Sequence, residues 1–333
     1  MAEFELIRRF FARSASACPP PQALLGIGDD CAILAAPKGP NERFAITTDL
    51  LVAGVHFFAD VDPQALGHKA LAVNLSDLAA MGARPVAYVL ALAMPHANED
   101  WLAAFARGIH ALADRHQIEL VGGDTTSGPL TVGITALGEV DPASALRRDR
   151  ARVGDDLWVS GTLGGAALAV AERRAGRGHS VPLAAQRCLD WPNPRVDLGL
   201  ALAQLAAHGR VHAAIDVSDG LASELGHLLQ RSEPGLGARL WSSRLPADPV
   251  LQALAPIDQL ELMLHGGDDY ELLFTAPASA RGEIESLAGR FDGVAVTRFG
   301  MLEAGSGLVL EAPDGTQRAL PARGFEHFGG AEC

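Results

Sequence analysis

Seven aspartates of this 333-residue chain stand at the ends of predicted elements or in apolar surroundings, where a carboxylate can do chemistry. They are Asp30, Asp49, Asp77, Asp124, Asp216, Asp219 and Asp268. Strand ends and the loops after them gather functional groups in α/β enzymes, because rigid elements hold the side chains while the ends stay open to ligand. Two carboxylates about 4 Å apart repel by roughly 4 kcal/mol at an effective dielectric of 20, so a convergent set would collect cations. Convergence would therefore predict a divalent metal, whereas scattered, solvated aspartates would need none.

Asp49 closes an alternating run, "RFAITTDLLVAGVHF" (43–57), that predicts a strand. It directly follows Thr47 and Thr48, so hydroxyl and carboxylate oxygens succeed one another. Oxygen ligands are those that Mg²⁺ prefers. Asp49 by itself is explained equally well as a cap of the next turn.

Asp77 lies inside an apolar segment, "HKALAVNLSDLAAMG" (68–82), that predicts a helix ending at Gly82. Asn74 is three residues earlier, so both polar side chains project from the same helix face. A lone carboxylate on a buried face costs several kcal/mol unless it is paired or bound to a metal. This cost favours a functional role for Asp77.

Two glycine-containing turns combine close backbone approach with side-chain oxygens. In "AIDVSDG" the predicted strand places Asp216 and Ser218 on one side, and Asp219 opens the turn before Gly220. The amides that begin the next helix could meet a phosphate, although Ser218 or Asp219 could also be the helix N-cap. In "GGDTT" (122–126), predicted as a turn after the short strand "IELV" (118–121), Asp124 and the threonines offer oxygens, a weak signal when taken alone.

The segment "GIGDDCAIL" (26–34) begins like the GxGxxG turn of dinucleotide-binding proteins. Cys31 occupies the position of the third glycine, and the preceding "PPPQALL" is a poor strand, so we reject dinucleotide binding. In an extended segment Asp29 and Asp30 point to opposite faces, and only one of them can serve a metal. No GxxxxGK[ST] sequence occurs, which excludes an ordinary P-loop.

Composition narrows the possible partners and environment. Apolar residues make up 48% and charged residues 20%, typical of a soluble globular protein, and no apolar run reaches the roughly 18 residues of a membrane span. A net charge of −13 argues against nucleic-acid binding, and the one dense basic stretch, residues 146–155, is short. The four cysteines form no CxxC pair, so we expect neither a zinc site nor disulfides, and a reducing cytoplasm fits.

Strand and helix patterns alternate along the whole chain, which predicts a mixed α/β fold. Further helices are predicted around 99–117 and 195–208, and strand–turn–helix units over 155–174 and 212–229. The triplet Gly-Asp-Asp occurs at 28–30, 154–156 and 267–269, and its middle copy reads as an ordinary turn into a strand. We place a domain boundary near residue 150, within the basic stretch, giving domains 1–150 and 151–333.

Six motifs taken together in this order resemble the thiamine-monophosphate kinase family. They are "GIGDDCAIL", "TTDLLVAGVHF", "HKALAVNLSDLAAMGARP", "GGDTT", "AIDVSDG" and "GGDDYEL". This family is part of an ATP-binding superfamily with aminoimidazole ribonucleotide synthetase and selenophosphate synthetase. The resemblance implies the two-domain synthetase-like fold, a homodimer formed through the first domain, and a second domain that completes the nucleotide and substrate site.

The resemblance further implies ATP-dependent phosphorylation of thiamine monophosphate to thiamine diphosphate, with several Mg²⁺ ions and no protein nucleophile. The positions that match the family's metal ligands are Asp30, Thr47, Thr48, Asp49, Asp77, Asp124, Asp216 and Asp219. Those that match its ATP contacts are Gly123, Asp124, Arg148 and Ser218. Those that match its thiamine-phosphate contacts are His56, Asp268 and Phe325, although many relatives carry Glu and Tyr at the last two.

Two alternatives follow from the same residues. One is another enzyme of the superfamily, such as a ligase or a selenophosphate synthetase. The latter is expected to have a reactive Cys and a Lys in an N-terminal Gly-rich loop, and residues 1–25 contain Cys18 but no Lys. The other is a non-catalytic protein that binds divalent metal or nucleotide without turnover.

Overall fold

A computed structural model of the chain describes residues 7–11, 23–25, 33–34, 36–291 and 293–325. The predicted site residue Asp30, like its neighbour Asp29, lies outside these described residues. The described part contains both helices and strands, which confirms the mixed α/β class.

Thirteen strands are described. They are β1 (Ala23–Leu25), β2 (Ile33–Leu34), β3 (Arg43–Val52), β4 (Arg84–Met94), β5 (Glu119–Ser127), β6 (Thr131–Val140), β7 (Asp155–Ser160), β8 (Ala213–Val217), β9 (Leu236–Trp241), β10 (Glu271–Pro277), β11 (Val296–Ala304), β12 (Gly307–Glu311) and β13 (Gln317–Leu320). The α-helices in the described ranges are α1 (Pro63–Ala80), α2 (Glu99–His116), α3 (Gly165–Arg174), α4 (Leu183–Asp190), α5 (Val196–Ala206), α6 (Leu221–Arg231), α7 (Pro256–His265) and α8 (Arg281–Glu285). A π-helical turn, Ile7–Phe11, precedes them.

The chain divides into two compact units. The first comprises Met1–Leu78 and Ala83–Ala143, and the second comprises Ala79–Gly82 and Ser144–Cys333. No helix in the described residues is long and apolar enough to cross a membrane.

The first unit is built on a four-stranded sheet in the order β3-β6-β4-β5. Only β4 and β5 run parallel, and the other neighbours are antiparallel. Side chains alternate between the faces of a strand, and β3 shows the result: Ile46, Thr48 and Leu50 are exposed whereas Thr47 and Asp49 are partly buried. The sheet therefore has one covered face and one face open to solvent.

Helix α1 is apolar almost all round and nearly every residue after its first turn is buried, as expected of a helix enclosed by its unit. It starts after Asp62, whose carboxylate accepts hydrogen bonds from the amides of Gln64 and Ala65. Glycines let α1 and α2 come into backbone contact: a Cβ on Gly67 would lie 2.1 Å from the Phe105 carbonyl oxygen. The predicted helix over 68–82 thus forms, but it begins five residues earlier.

The predicted turn at "GGDTTSG" is wrong. Strand β5 continues through these residues to Ser127, because its backbone groups pair with β4, with Asp124 beside Ala91 and Ser127 beside Met94. Tertiary pairing overrides the local turn preference of glycine and aspartate. The predicted strand over 43–57 likewise stops early, since β3 ends at Val52.

The second unit is built on a seven-stranded sheet in the order β13-β12-β9-β11-β7-β10-β8. All neighbours are antiparallel except β12 and β9. Trp158 of β7 and Phe274 of β10 stack at 6.3 Å in its core. The middle Gly-Asp-Asp triplet is a turn into β7, as predicted, and its two carboxylates are buried and paired, Asp155 with His212 and Asp156 with Arg281.

Candidate functional site

In the first unit, β3 and α1 bring three of the predicted residues together. Thr47 and Asp49 project to the same face of β3, and the Thr47 hydroxyl donates a hydrogen bond to the Asp77 carboxylate of α1. One carboxylate oxygen of Asp49, Oδ2, is buried. Thr48 points to the open face instead, where its hydroxyl lies 2.8 Å from that of Thr135.

The two polar residues predicted on one face of α1, Asn74 and Asp77, differ in their burial. Asn74 is fully buried and its amide donates to the Ala70 carbonyl at 3.1 Å. Asp77, almost one turn later, is only partly buried. The hydrogen bond from Thr47 offsets part of the desolvation cost of its carboxylate.

Asp124 does not lie beside Asp49. It belongs to β5, at the opposite edge of the sheet from β3, and three interstrand spacings amount to about 14 Å. Its neighbour Gly123 has a φ of 153°, and a Cβ there would lie 1.9 Å from the Leu90 carbonyl oxygen. Only glycine fits at position 123, and Asp124 is exposed next to it.

His56 lies in the turn after β3. Its Nδ1 accepts a hydrogen bond from the Val52 amide at 3.0 Å. In the neutral ring, the proton is therefore on Nε2, which can donate to an anionic oxygen.

In the second unit, the end of β8 and the turn after it contain three predicted residues within four positions. Asp216 is buried in β8 and pairs with Leu272 of β10, and Ser218 and Asp219 follow in the turn. The "GGDDYEL" segment is hydrogen-bonded to this turn, since the Asp268 amide donates to the Ser218 carbonyl and the Tyr270 amide to the Val217 carbonyl, both at 2.8 Å. The structure thus brings Asp268 next to the Asp216–Asp219 turn.

The loop that presents Asp268 has an unusual backbone. Asp268 and Tyr270 have φ values of 68° and 51°, in the left-handed region that costs an L-residue roughly 1–2 kcal/mol. The Tyr270 hydroxyl donates to Asp268 Oδ1 at 3.2 Å. A Cβ on Gly267 would lie 2.4 Å from the Ser218 carbonyl oxygen, so the loop packs directly on the turn.

A third segment, containing Gly324 and Phe325, contacts the same turn. The Phe325 amide donates to the Asp219 carbonyl at 3.1 Å, and a Cβ on Gly324 would lie 2.3 Å from that oxygen. The Phe325 ring is 36% exposed, and the Arg174 guanidinium lies 5.9 Å from its centroid. The backbone of this segment is therefore fixed to the Asp219 turn, and the Phe325 ring lies beside Arg174 at the end of α3.

Glu224, on the first turns of α6, was missed by the sequence analysis. Gly220 is the N-cap of α6 and makes no side-chain cap, so the N-cap role considered for Ser218 or Asp219 is wrong. Instead the buried Glu224 carboxylate accepts hydrogen bonds from the Ser218 hydroxyl and the Asp219 amide, each at 3.3 Å. The spacing "SDGLASE" is a recognisable signal, because a Glu in the first turns often reaches back to the residues before the helix.

The electrostatic environment of the Glu224 carboxyl includes the charge of Arg148, so Arg148 lies nearby. Burial, and then the charge of Asp219, raise the pKa of the Glu224 carboxyl to about 7, although the Asp219 amide and the positive charge of Arg148 act in the opposite direction. Arg148 belongs to a 3₁₀ turn, Arg148–Arg150, that packs against β8 and α6. The structure therefore places Arg148 near the turn that contains Ser218 and Asp219.

The predicted metal ligands carry the oxygen donors that a hard cation prefers. Hydroxyl and carboxylate oxygens dominate, with no thiol among them, which suits Mg²⁺. Within the described residues, no group of three or more His, Cys, Asp or Glu side chains is arranged to hold a metal ion. Mg²⁺ commonly takes one or two carboxylates and completes its shell with water and substrate phosphates.

Comparison with known proteins identifies the class of protein to which the chain is related. The family model described as "AIR synthase related protein, N-terminal domain" matches residues 28–140, a range that includes β3, α1 and β5. The fold is that of an AIR-synthase-related protein. The thiamine-monophosphate kinase of Salmonella typhimurium is 41% identical over 331 residues, 98% of each chain. The chain belongs to the thiamine-monophosphate kinase family.

Two solved structures of thiamine-monophosphate kinases are similar to this chain. The crystal structure of thiamine-monophosphate kinase from Stenotrophomonas maltophilia matches with a TM-score of 0.82 and 46% identity, over 95% of this chain and 97% of that one. The AaThiL complex with AMPPCP and TMP matches with a TM-score of 0.72 and 29% identity, over 88% and 89%. The family resemblance seen in the six sequence motifs is confirmed.

Proposed function

We propose that this protein is an enzyme that transfers the γ-phosphoryl group of ATP to the phosphate of thiamine monophosphate, giving thiamine diphosphate and ADP. One observation supports this most directly. In the second unit, the loop of Asp268 is hydrogen-bonded to the turn after β8, and Arg148 lies near that turn, in a chain that matches thiamine-monophosphate kinases over nearly its whole length. AaThiL has been solved with AMPPCP and TMP bound, a nucleotide analogue and a phosphate acceptor in one protein.

The reaction we propose is a direct in-line displacement. A phosphate oxygen of thiamine monophosphate bonds to the γ-phosphorus of ATP while the bond from that phosphorus to the β,γ-bridging oxygen breaks, and ADP leaves with the electron pair. The acceptor is already ionised at neutral pH, so no strong general base is needed. Positioning and electrostatic stabilisation then account for most of the rate.

Each group of residues has a distinct part in this proposal. Ser218, Gly123 and Arg148 bind ATP, with the guanidinium offsetting phosphate charge and Gly123 letting the backbone approach closely. His56 donates Nε2–H to the acceptor phosphate. Phe325 stacks on the thiamine rings, and a phenyl face retains this ability without a phenol. Asp268 binds the substrate with a shorter reach than a glutamate.

We also propose that Mg²⁺ ions bind to the hydroxyl and carboxylate oxygens of the predicted ligands. Asp30, Thr47, Thr48, Asp49, Asp77, Asp124, Asp216 and Asp219 would hold several ions together with the substrate phosphates. When bound, Mg²⁺ offsets the negative charge of the phosphates that must approach each other. The side chains themselves are held in place by contacts such as that of Thr47 with Asp77 and of Glu224 with the Asp219 amide.

³¹P NMR of the purified protein with thiamine monophosphate, ATP and Mg²⁺ tests the activity and the metal together. We expect the two coupled resonances of thiamine diphosphate to appear, and to be absent when EDTA exceeds Mg²⁺, because the converging phosphates and carboxylates then lack their counter-cations. Adding Mg²⁺ back should restore them. Folded protein that leaves thiamine monophosphate unchanged would contradict the proposed activity.

We also propose a homodimer formed through the open face of the four-stranded sheet. Ile46 and Leu50 of β3 are 67% and 58% exposed on that face, and adjacent exposed apolar side chains on one sheet face are typical of an interface. The free Cys188 thiol fits our further proposal of a cytoplasmic, reducing location.

Substitution of Ile46 by glutamate should convert the dimer to monomers, because a charge would then be buried at the interface. Sedimentation equilibrium checks this, since the wild-type mass should be twice 34.8 kDa. Ile257→Glu is the matched control, as Ile257 is 59% exposed on α7 of the second unit. A monomeric wild type, or an Ile46→Glu variant that stays dimeric, would contradict the interface.

A further inference from the structure

The residues that follow β13, 321–325, form a short segment whose backbone is attached to the turn after β8. The Phe325 amide donates to the Asp219 carbonyl at 3.1 Å. The segment belongs to no helix or strand, and four of its five residues are exposed. A segment with so little burial depends on a few hydrogen bonds for its position. The contacts that hold this segment therefore also affect the Asp219 turn.

The backbone of the turn is held by contacts from outside it. The carbonyls of residues 217, 218 and 219 accept hydrogen bonds from the amides of Tyr270, Asp268 and Phe325, in that order. The first two donors belong to the "GGDDYEL" loop, and the third belongs to the segment after β13. The turn therefore depends on that segment for one of these three bonds to its carbonyls.

His265, the last residue of α7, contacts both the turn and the segment. Its backbone lies against the turn, because a Cβ on Gly220, the N-cap of α6, would be 3.0 Å from the His265 carbonyl carbon. Its ring Nδ1 lies 3.0 Å from the Arg323 carbonyl oxygen. A carbonyl oxygen can only accept, so Nδ1 carries a proton. Only 10% of the His265 side chain is exposed, so this hydrogen bond is largely covered.

A second side-chain contact of the segment is weaker. Arg323 forms an ion pair with Glu261 at 2.9 Å, but these side chains are 60% and 59% exposed. Exposed ion pairs contribute little, because water and salt screen them and two long side chains lose rotamer freedom. A hydrogen bond to a covered ring is screened less. The hydrogen bond from His265 therefore contributes more to the position of the segment than the ion pair does.

We propose that His265 is a positioning residue, which holds the segment 321–325 against the Asp219 turn by donating its Nδ1–H to the Arg323 carbonyl. The inference rests on the proposed function, in which Ser218 binds ATP and Asp219 binds Mg²⁺. His265 acts on both residues through the backbone. Without its hydrogen bond the segment moves away from the turn, and nucleotide binds less tightly because the turn must then be ordered on binding.

Replacing His265 by residues that keep or lose the donor tests this proposal in the full-length protein. Asparagine places an amide nitrogen where histidine has Nδ1, whereas glutamine places it one bond further away and alanine has none. His265→Ala and His265→Gln should raise the Kd for Mg·ADP, measured by calorimetry, by about three- to tenfold, the usual effect of one hydrogen bond. His265→Asn should stay within about twofold of wild type. His227→Ala, which removes an exposed histidine of α6, is the matched control.

Two further measurements separate positioning from a general loss of stability. KM for ATP should rise by about three- to tenfold in the alanine and glutamine variants while kcat changes by less than about twofold, whereas a smaller folded fraction would lower apparent kcat alone. Hydrogen exchange, followed by mass spectrometry, should be faster in peptides that cover residues 321–325, because the Phe325 amide loses its acceptor. His265→Asn should exchange like wild type.

A glycine variant disturbs the same contact independently. A Cβ on Gly324 would lie 2.3 Å from the Asp219 carbonyl oxygen, so Gly324→Ala should displace the segment and weaken Mg·ADP binding similarly. Gly282→Ala, where a Cβ would have nothing within 4 Å, is its control. Because both changes act through one contact, the double variant should bind Mg·ADP no more weakly than the weaker single variant.

The outcomes separate this inference from the proposed activity. Wild-type nucleotide affinity and exchange in His265→Ala would overturn the inference, as would an asparagine variant impaired as much as the alanine variant. Effects of His265→Ala and Gly324→Ala that add would also overturn it. Neither calorimetry nor exchange requires thiamine monophosphate. If the wild type binds Mg·ADP but does not phosphorylate thiamine monophosphate, and the variants differ as expected, the positioning role holds and the acceptor is wrong.

Discussion

Asn in place of Asp77 or Asp216 should lower kcat for phosphoryl transfer by at least about 10²–10³-fold, the usual cost of removing one electrostatic contact from a charged transition state. Asp77 lies in the first unit against Thr47, and Asp216 lies in β8 of the second. Asparagine keeps the shape and one acceptor oxygen but removes the negative charge, so cation binding weakens while the fold persists. The ³¹P assay at saturating substrates measures the loss.

Two aspartates outside the proposed site provide matched controls. Asp62 caps the first turn of α1, the helix that contains Asp77, and Asp314 accepts from the Thr316 amide in an exposed turn. Asp62→Asn and Asp314→Asn should keep turnover within about threefold. Circular dichroism should give all four variants a wild-type spectrum. Wild-type turnover in both Asp77→Asn and Asp216→Asn would reject the assignment of these carboxylates to a metal site.

Glu224→Gln should stabilise the metal-free protein, and the gain should grow with pH. The pKa of Glu224 is about 7 in the fold and 4.5 in its absence, so the wild-type residue contributes stability below pH 4.5 that is lost as pH rises through 7. Above pH 7 the fold must hold a buried charge, which glutamine avoids while still accepting from Ser218. The difference should increase by about 2 to 3 kcal/mol between pH 5 and pH 8.

Urea unfolding in EDTA at pH 5, 6, 7 and 8 measures this difference. Glu233→Gln, which removes an exposed carboxylate just beyond α6, is the control and should leave the unfolding free energy nearly unchanged at each pH. A stability difference between wild type and Glu224→Gln that stays constant with pH would show that Glu224 is charged throughout this range.

The periodicity of apolar residues along the chain predicted most of the helices and strands. Asp77 was recognisable because a carboxylate in an apolar helix needs a partner, and the fold supplies Thr47 on β3. Strand β5 was predicted wrongly, because its residues pair with β4 residues such as Met94, paired with Ser127, that lie far away in the sequence, and local patterns do not show such pairing. The roles of the individual site residues stay predictions, and Asp30 lies outside the described residues.

Other features could not be predicted because they depend on tertiary contacts. The left-handed φ of Asp268 and Tyr270 is imposed by their amides bonding to Ser218 and Val217, and neither residue type indicates it. The buried Glu271 carboxylate is paired with Arg195, 76 residues away. Such long-range pairings determine which of many acidic residues share a surface.

The pairing of β3 with β6 has a consequence for the order in which the protein folds during synthesis. Thr48 and Thr135, bonded across these strands, are 87 residues apart, and Ser160 and Glu271 in the second sheet are 111 apart. Because loop-closure entropy must be offset before such contacts form, chains dominated by them fold slowly. On the ribosome, the backbone groups along the edge of β3 that β6 will pair stay unpaired until β6 has emerged, so the first unit depends most on chaperones during that interval.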